Sequence, residues 1–221
     1  MTARKKVVKE FIRLFNEEEN VVKVMVSLLS KGKPNITFNE ILKEAAVICR
    51  EKADRLAEDA VLAMEGWRMI LPAKHEESRS LAWESQMIKL EKDEPYTIPA
   101  CIIYAFKHLL LSGEWTWKPA VREYFIEIRD KHVEEAIRAL EQIVKNSYSD
   151  RFVSASIIDE ACKSENYPDS SAFIAKLKGG GIISPCLKNS LFAASLKLRE
   201  VGKPPIYELN KALFVKVKSD A

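Results

Sequence analysis

The chain has 221 residues, 47% of them hydrophobic and 30% charged, a globular composition that excludes wholesale disorder and suits two small domains or one large one. Seven glycines and nine prolines exclude collagen-like and low-complexity chains. Thirty-five Lys and Arg against 32 Asp and Glu leave a net charge of +3, too little to imply nucleic-acid binding by itself.

Apolar residues at helical spacing predict helices over 5–16 (Val7, Val8, Phe11, Ile12, Phe15) and about 20–31 (Val21, Val24, Met25, Leu28, Leu29). Thr37-Phe-Asn-Glu40 reads as a capping box, in which each side chain satisfies an amide at a helix start. The helix it opens buries Phe38, Ile41, Leu42, Ala45 and Cys49, and another follows over about 52–65. The pattern then changes: Trp67–Leu71, Ser80–Leu90 and Pro95–Ile98 read as extended. Helix resumes from Pro99 to Ser112-Gly113, and again over about 119–146, where Pro119 suits a first helical position and a break near 130 is open.

The earlier order then returns. Ser154 or Ser156 can cap one helix, Asp169 or Ser170 the next, and Gly179-Gly180-Gly181 closes it. Ile182-Ile183, Leu191–Leu198 and Pro205–Leu209 read as strands. Landmarks of the two halves lie 111 to 117 residues apart: Thr37 and Ser154, Pro72 and Pro185, Tyr96 and Tyr207. A spacing that regular is expected of an internal repeat.

The run Phe173-Ile-Ala-Lys-Leu-Lys-Gly-Gly-Gly-Ile-Ile-Ser-Pro185, with Pro205-Ile-Tyr-Glu-Leu-Asn210, resembles the winged-helix branch of the helix-turn-helix proteins. Gly66-Trp-Arg-Met-Ile-Leu-Pro72 is similar to a weaker copy. The resemblance implies a mainly α (α+β) fold of two tandem winged-helix domains, three-helix bundles each with a β-hairpin wing, joined by long connecting helices. The domains expected are 1–112 and 147–221, with 113–146 as a connecting helix and the second domain's first helix drawn from 130–146.

In that family the third helix enters the major groove and the wing meets the backbone or minor groove. Charge is distributed unevenly for that purpose. Residues 170–221 carry 9 basic and 3 acidic side chains, behind 7 and 11 in 119–169. The resemblance therefore implies that Ser170, Ser171, Lys176 and Lys178 of the helix, with Lys188, Asn189, Lys197, Arg199 and Lys203 of the wing, form a DNA-binding set. The first copy's third helix has Lys52 and Arg55 against Glu51, Asp54, Glu58, Asp59 and Glu65, a face that repels phosphate. Trp83, Trp115 and Trp117 are candidates for partner binding, with packing as the competing role.

Catalytic and cofactor chemistry find no support in the residues. His75, His108 and His132 have no HxxxH or HExxH spacing, no GxSxG occurs, and the triple glycine ends a helix without a GK[ST] sequel. Cys49, Cys101, Cys162 and Cys186 make no CxxC pair. The amino terminus lacks a signal-like core, and the longest apolar run, Ile98–Phe106, is far short of the roughly 18–20 residues that span a bilayer. The expectation is a cytoplasmic, non-enzymatic regulator of transcription that binds duplex DNA. No metal, cofactor, small-molecule substrate or membrane is expected; a protein partner or homodimer is compatible with it. The alternatives are a winged-helix assembly adaptor without nucleic acid, or an RNA-binding protein.

Overall fold

The computed structural model describes residues 3–72, 82–83, 88–149, 151–186 and 205–215. The fold is mainly helical with two small antiparallel sheets. In chain order the first half runs α1 (Ala3–Phe15), α2 (Glu19–Ser30), β1 (Asn35–Thr37), α3 (Phe38–Ile48), α4 (Ala53–Gly66), β2 (Leu71–Pro72), β3 (Pro95–Thr97) and α5 (Ala100–Ser112). The second half runs α6 (Trp117–Glu127), α7 (Val133–Lys145), β4 (Phe152–Ser154), α8 (Ala155–Ser164), α9 (Ser170–Gly179), β5 (Ile183–Pro185) and β6 (Ile206–Leu209).

The two halves repeat one order of elements down to the register of their sheets. The strand orders are β1-β3-β2 and β4-β6-β5. Pro72 stands opposite Tyr96 in one sheet and Pro185 opposite Tyr207 in the other. Ile36 and Val153 meet the same two tyrosines from the other side. Thr37 caps α3 with the full capping box and Ser154 caps α8. The helix ends also match: Met69 N–H donates to Met64 O at 2.7 Å and Ile182 N–H to Leu177 O at 2.9 Å. At the turn between, Arg68 has φ 61° and Gly181 φ 67°, a left-handed conformation that favours glycine.

The chain divides into two compact units, with one of the boundaries between residues 120 and 121, within α6. Among described residues the first unit holds 3–72, 88–120 and 211–215, and the second 82–83, 121–149, 151–186 and 205–210. In the first unit, Phe11, Phe15, Phe106 and Trp115 pack edge to face with centroids 4.9–5.7 Å apart. In the second, Phe125 and Tyr167 flank Phe173 at 5.9 and 4.6 Å. Such ring pairs contribute about 0.5–1.5 kcal/mol each beyond their buried area.

Several expectations need correction. The helical stretch over 119–146, where a break near 130 was open, is two helices and not one long connecting helix, because the chain turns at Arg129 (φ 56°) and Asp130 holds the turn by accepting from His132 N–H at 2.7 Å. Trp67 caps α4 and only Leu71–Pro72 pair as a strand, so Trp67–Leu71 is not a continuous strand. Each sheet also has a third strand, β1 or β4, beyond the expected hairpin. Ser80–Leu90 and Leu191–Leu198 fall largely or wholly outside the described residues. Among the described residues no helix is long and apolar enough to cross a membrane.

The two glycines after α9 have separate physical roles. Gly181 supplies the positive φ, and Gly180 makes room for a ring: a Cβ there would stand 2.7 Å from Tyr124 Cε1. Tyr124 cannot easily retreat, since its hydroxyl donates to Lys176 O at 2.9 Å. Gly180→Ala is expected to destabilise the second unit. Overpacking costs about 1–3 kcal/mol, against about 0.4–1 kcal/mol gained by stiffening the unfolded chain. A chemical denaturation curve checks the net loss.

Candidate nucleic-acid interface

The site implied by the sequence centres on α9 and the connection from β5 to β6. Asp169 fixes the start of α9, its carboxylate accepting from Ser171 N–H at 2.9 Å and Ala172 N–H at 3.0 Å. Ser170 is therefore not the cap; its hydroxyl donates to Asp159 Oδ1 at 2.8 Å. Phe173 and Leu177 face the core, leaving Ser171 exposed and Lys178 half-buried.

Lys176 has a structural partner. Its ammonium lies 2.7 Å from Asp130 Oδ2 and 3.0 Å from the Tyr167 hydroxyl, and the Asp130 side chain is 1% exposed. Burial pushes the Asp130 carboxyl up, but Lys176, the Tyr167 hydroxyl and the His132 amide outweigh it and hold the group below its ordinary value. Burial likewise works against the charge on Lys176, and Asp130 and Tyr167 more than restore it. The Tyr167 phenol, buried between them, is pushed up to about 12. A lysine neutralised this way is a strut between α9 and the turn before α7, and it leaves little charge for a phosphate. Asp130 and Tyr167 are the residues sequence reasoning missed; the Asp130-Lys-His132 run at the open break near 130 was the available signal.

The strands beside the site are well anchored. Arg151 reaches Glu208 Oε1 with Nε at 3.0 Å and Nη2 at 2.5 Å, where Glu208 is 1% exposed. Cys186 N–H donates to Ile206 O at 2.9 Å, closing the ladder where the 187–204 connection leaves and returns. Lys188, Asn189, Lys197, Arg199 and Lys203 lie on that connection, outside the described residues. By sequence it carries those four cations against Glu200, whereas its counterpart in the first half, 73–94, has Lys74, Arg79, Lys89 and Lys92 against Glu76, Glu77, Glu84, Glu91, Asp93 and Glu94. On α4, Asp54, Arg55 and Glu58 are exposed and Asp59 partly so, and Arg55 sits 3.9 Å from Asp59.

The tryptophans are mostly core. Trp83 is 1% and Trp115 9% exposed. The Trp83 backbone N–H donates to Ser184 Oγ at 3.0 Å, and Trp115 Nε1 to Ala212 O at 2.8 Å. Burial leaves neither ring free for a partner, so both are corrected to packing. Trp117 is half-buried and lies 5.5 Å from the Phe214 ring. Burial, with Asp159 and Asp169 nearby, pushes the Cys162 thiol up to about 12, which removes it as a nucleophile at neutral pH. Among the described residues no group of three or more His, Cys, Asp or Glu is placed to hold a metal.

A protein-family model matches residues 6–219, nearly the whole chain. The chain belongs to that family, an uncharacterised one. No curated protein and no solved structure matches it.

Proposed function

We propose that the chain is a tandem winged-helix protein, acting in the cytoplasm in transcription control, that binds duplex DNA through its second copy. The observation that carries the reading is the placement of the 187–204 connection. It leaves and re-enters a short ladder directly after α9, as a wing does beside a recognition helix. It is also the connection with an excess of cations, and phosphate neutralisation with counterion release supplies most non-specific affinity for DNA. The repeated order of helices and three-stranded sheets supports the fold assignment.

The proposed contact set is narrower than the sequence implied: Ser171 and Lys178 on α9, with Lys188, Asn189, Lys197, Arg199 and Lys203 beyond it. Lys176 is given up to Asp130. Lys178→Ala is expected to lower the slope of log affinity against log salt by about one on labelled duplex DNA, with no change in unfolding. An unchanged slope removes α9 from the interface.

The second reading is an assembly adaptor. The acidic exposed face of α4 favours it for the first copy, together with Leu62, which is 56% exposed on the same helix. A protein partner retained at fixed stoichiometry, with duplex DNA ignored at low salt, is its expected signature.

A further inference from the structure

α1 is the most one-sidedly charged helix of the first unit: Arg4, Lys5, Lys6, Lys9 and Arg13 against Glu10. By sequence that is five cations against one acid, and Glu10 accepts from Arg13. α1, α2 and the end of α3 enclose a groove of about 650 Å³. Its walls include Val8, Ile12, Val47 and Ile48. Val47 is 84% exposed, a β-branched side chain standing in water at the lip.

The rim is positive. Lys23 is matched by Glu19 at 2.8 Å, one turn away on α2. Lys5 and Lys9, both exposed, make no ion pair or hydrogen bond among the described residues. The contrast within the chain is direct: Arg122, which lies 113 positions beyond Lys9, is held by Glu134 through two bonds of 2.8 Å. The rim of the first unit keeps open a charge that the second unit closes.

We infer that this groove docks an acidic amphipathic helix of a partner protein. Lys5 and Lys9 are spaced i, i+4, about 6 Å along the axis, the spacing at which a facing helix presents two carboxylates one turn apart. An apolar floor below such a rim receives the i, i+3, i+4, i+7 ridge of an amphipathic helix. The inference is independent of the DNA reading, which concerns the other unit.

The test uses the full chain and a fluorescent synthetic helix of about 14 residues, a usual helix length, with leucines at i, i+3, i+4, i+7 and glutamates in i, i+4 pairs beside them. A control peptide carries lysine in place of every glutamate, and sodium laurate stands for a small anionic amphiphile. The acidic peptide is expected to bind, and to bind at least about tenfold more weakly to Lys5→Glu/Lys9→Glu and to Val47→Asp, a change of about 1.4 kcal/mol. All three positions are exposed, so the variants should unfold as the parent does; chemical shift mapping on the parent places the peptide at Val47. Equal binding of both peptides, or unchanged affinity in the variants, overturns the inference. So does laurate binding at Val47 where the acidic peptide does not bind.

Discussion

Lys176→Met is expected to destabilise the second unit by about 2–4 kcal/mol while changing the salt dependence of DNA binding little. Removing one partner of a buried pair typically costs about 3–5 kcal/mol, because the other charge stays behind. Here the stranded group is Asp130, 1% exposed, and the loss is smaller because Lys176 is 36% exposed. Asp130→Asn in the same chain should recover part of the loss, since an amide keeps hydrogen bonds to Tyr167 and His132 without a buried charge. The acid limb carries the same signature. A carboxyl held low in the folded state contributes fully above its unfolded value, about 4, and that contribution is lost as pH falls through the folded one. Lys176→Met should flatten that limb. Denaturation curves across pH decide it, and unchanged stability with weakened DNA binding would return Lys176 to the interface.

Replacing Lys188, Lys197, Arg199 and Lys203 together by alanine is expected to have the largest effect on binding. Four phosphate contacts correspond to a slope of about 3.6 in log affinity against log salt on B-form DNA. That is about a hundredfold in affinity between roughly 50 and 200 mM salt, and the variant should lose it. Stability should hold, because the ladder at the base of the connection rests on β5, β6 and the Arg151–Glu208 pair. A fluorescence titration of random-sequence duplex at several salt concentrations reads the slope directly.

The repeat was legible in the sequence because it rests on residues with hard local chemistry. Thr37 and Glu40 announce a helix start, and Pro72 and Pro185 mark matching exits. The third strand of each sheet was not legible. Asn35–Thr37 and Phe152–Ser154 are three residues long, too short for an alternating pattern, and both run straight into a cap. The break at Arg129–Asp130 was legible only as an open possibility, because Val121, Phe125, Ile137 and Leu140 keep helical spacing across it, while a left-handed arginine gives no composition signal.

The candidate site was legible in charge but not in pairing. Composition shows that the last 52 residues are basic, yet only the fold brings Asp130 to Lys176 across 46 positions. The tryptophans illustrate the same limit: Trp83 and Trp115 look like a surface cluster in sequence and lie in cores, since their backbone or ring N–H groups find Ser184 and Ala212 far along the chain. The lysines of α1 are equally plain in the sequence, but that Lys5 and Lys9 border an apolar groove emerges only when α1 packs beside α2 and the end of α3.

Phosphate contacts by the β5–β6 connection of the second copy stand or fall on one titration, that of the unmodified full chain with labelled random-sequence duplex from low to physiological salt. Binding is expected, with an affinity that falls by more than about a hundredfold between roughly 50 and 200 mM, Lys178 adding to the four cations of the connection. Absence of binding at the lowest salt, or an affinity indifferent to salt, would show that the second copy does not grip DNA through phosphates.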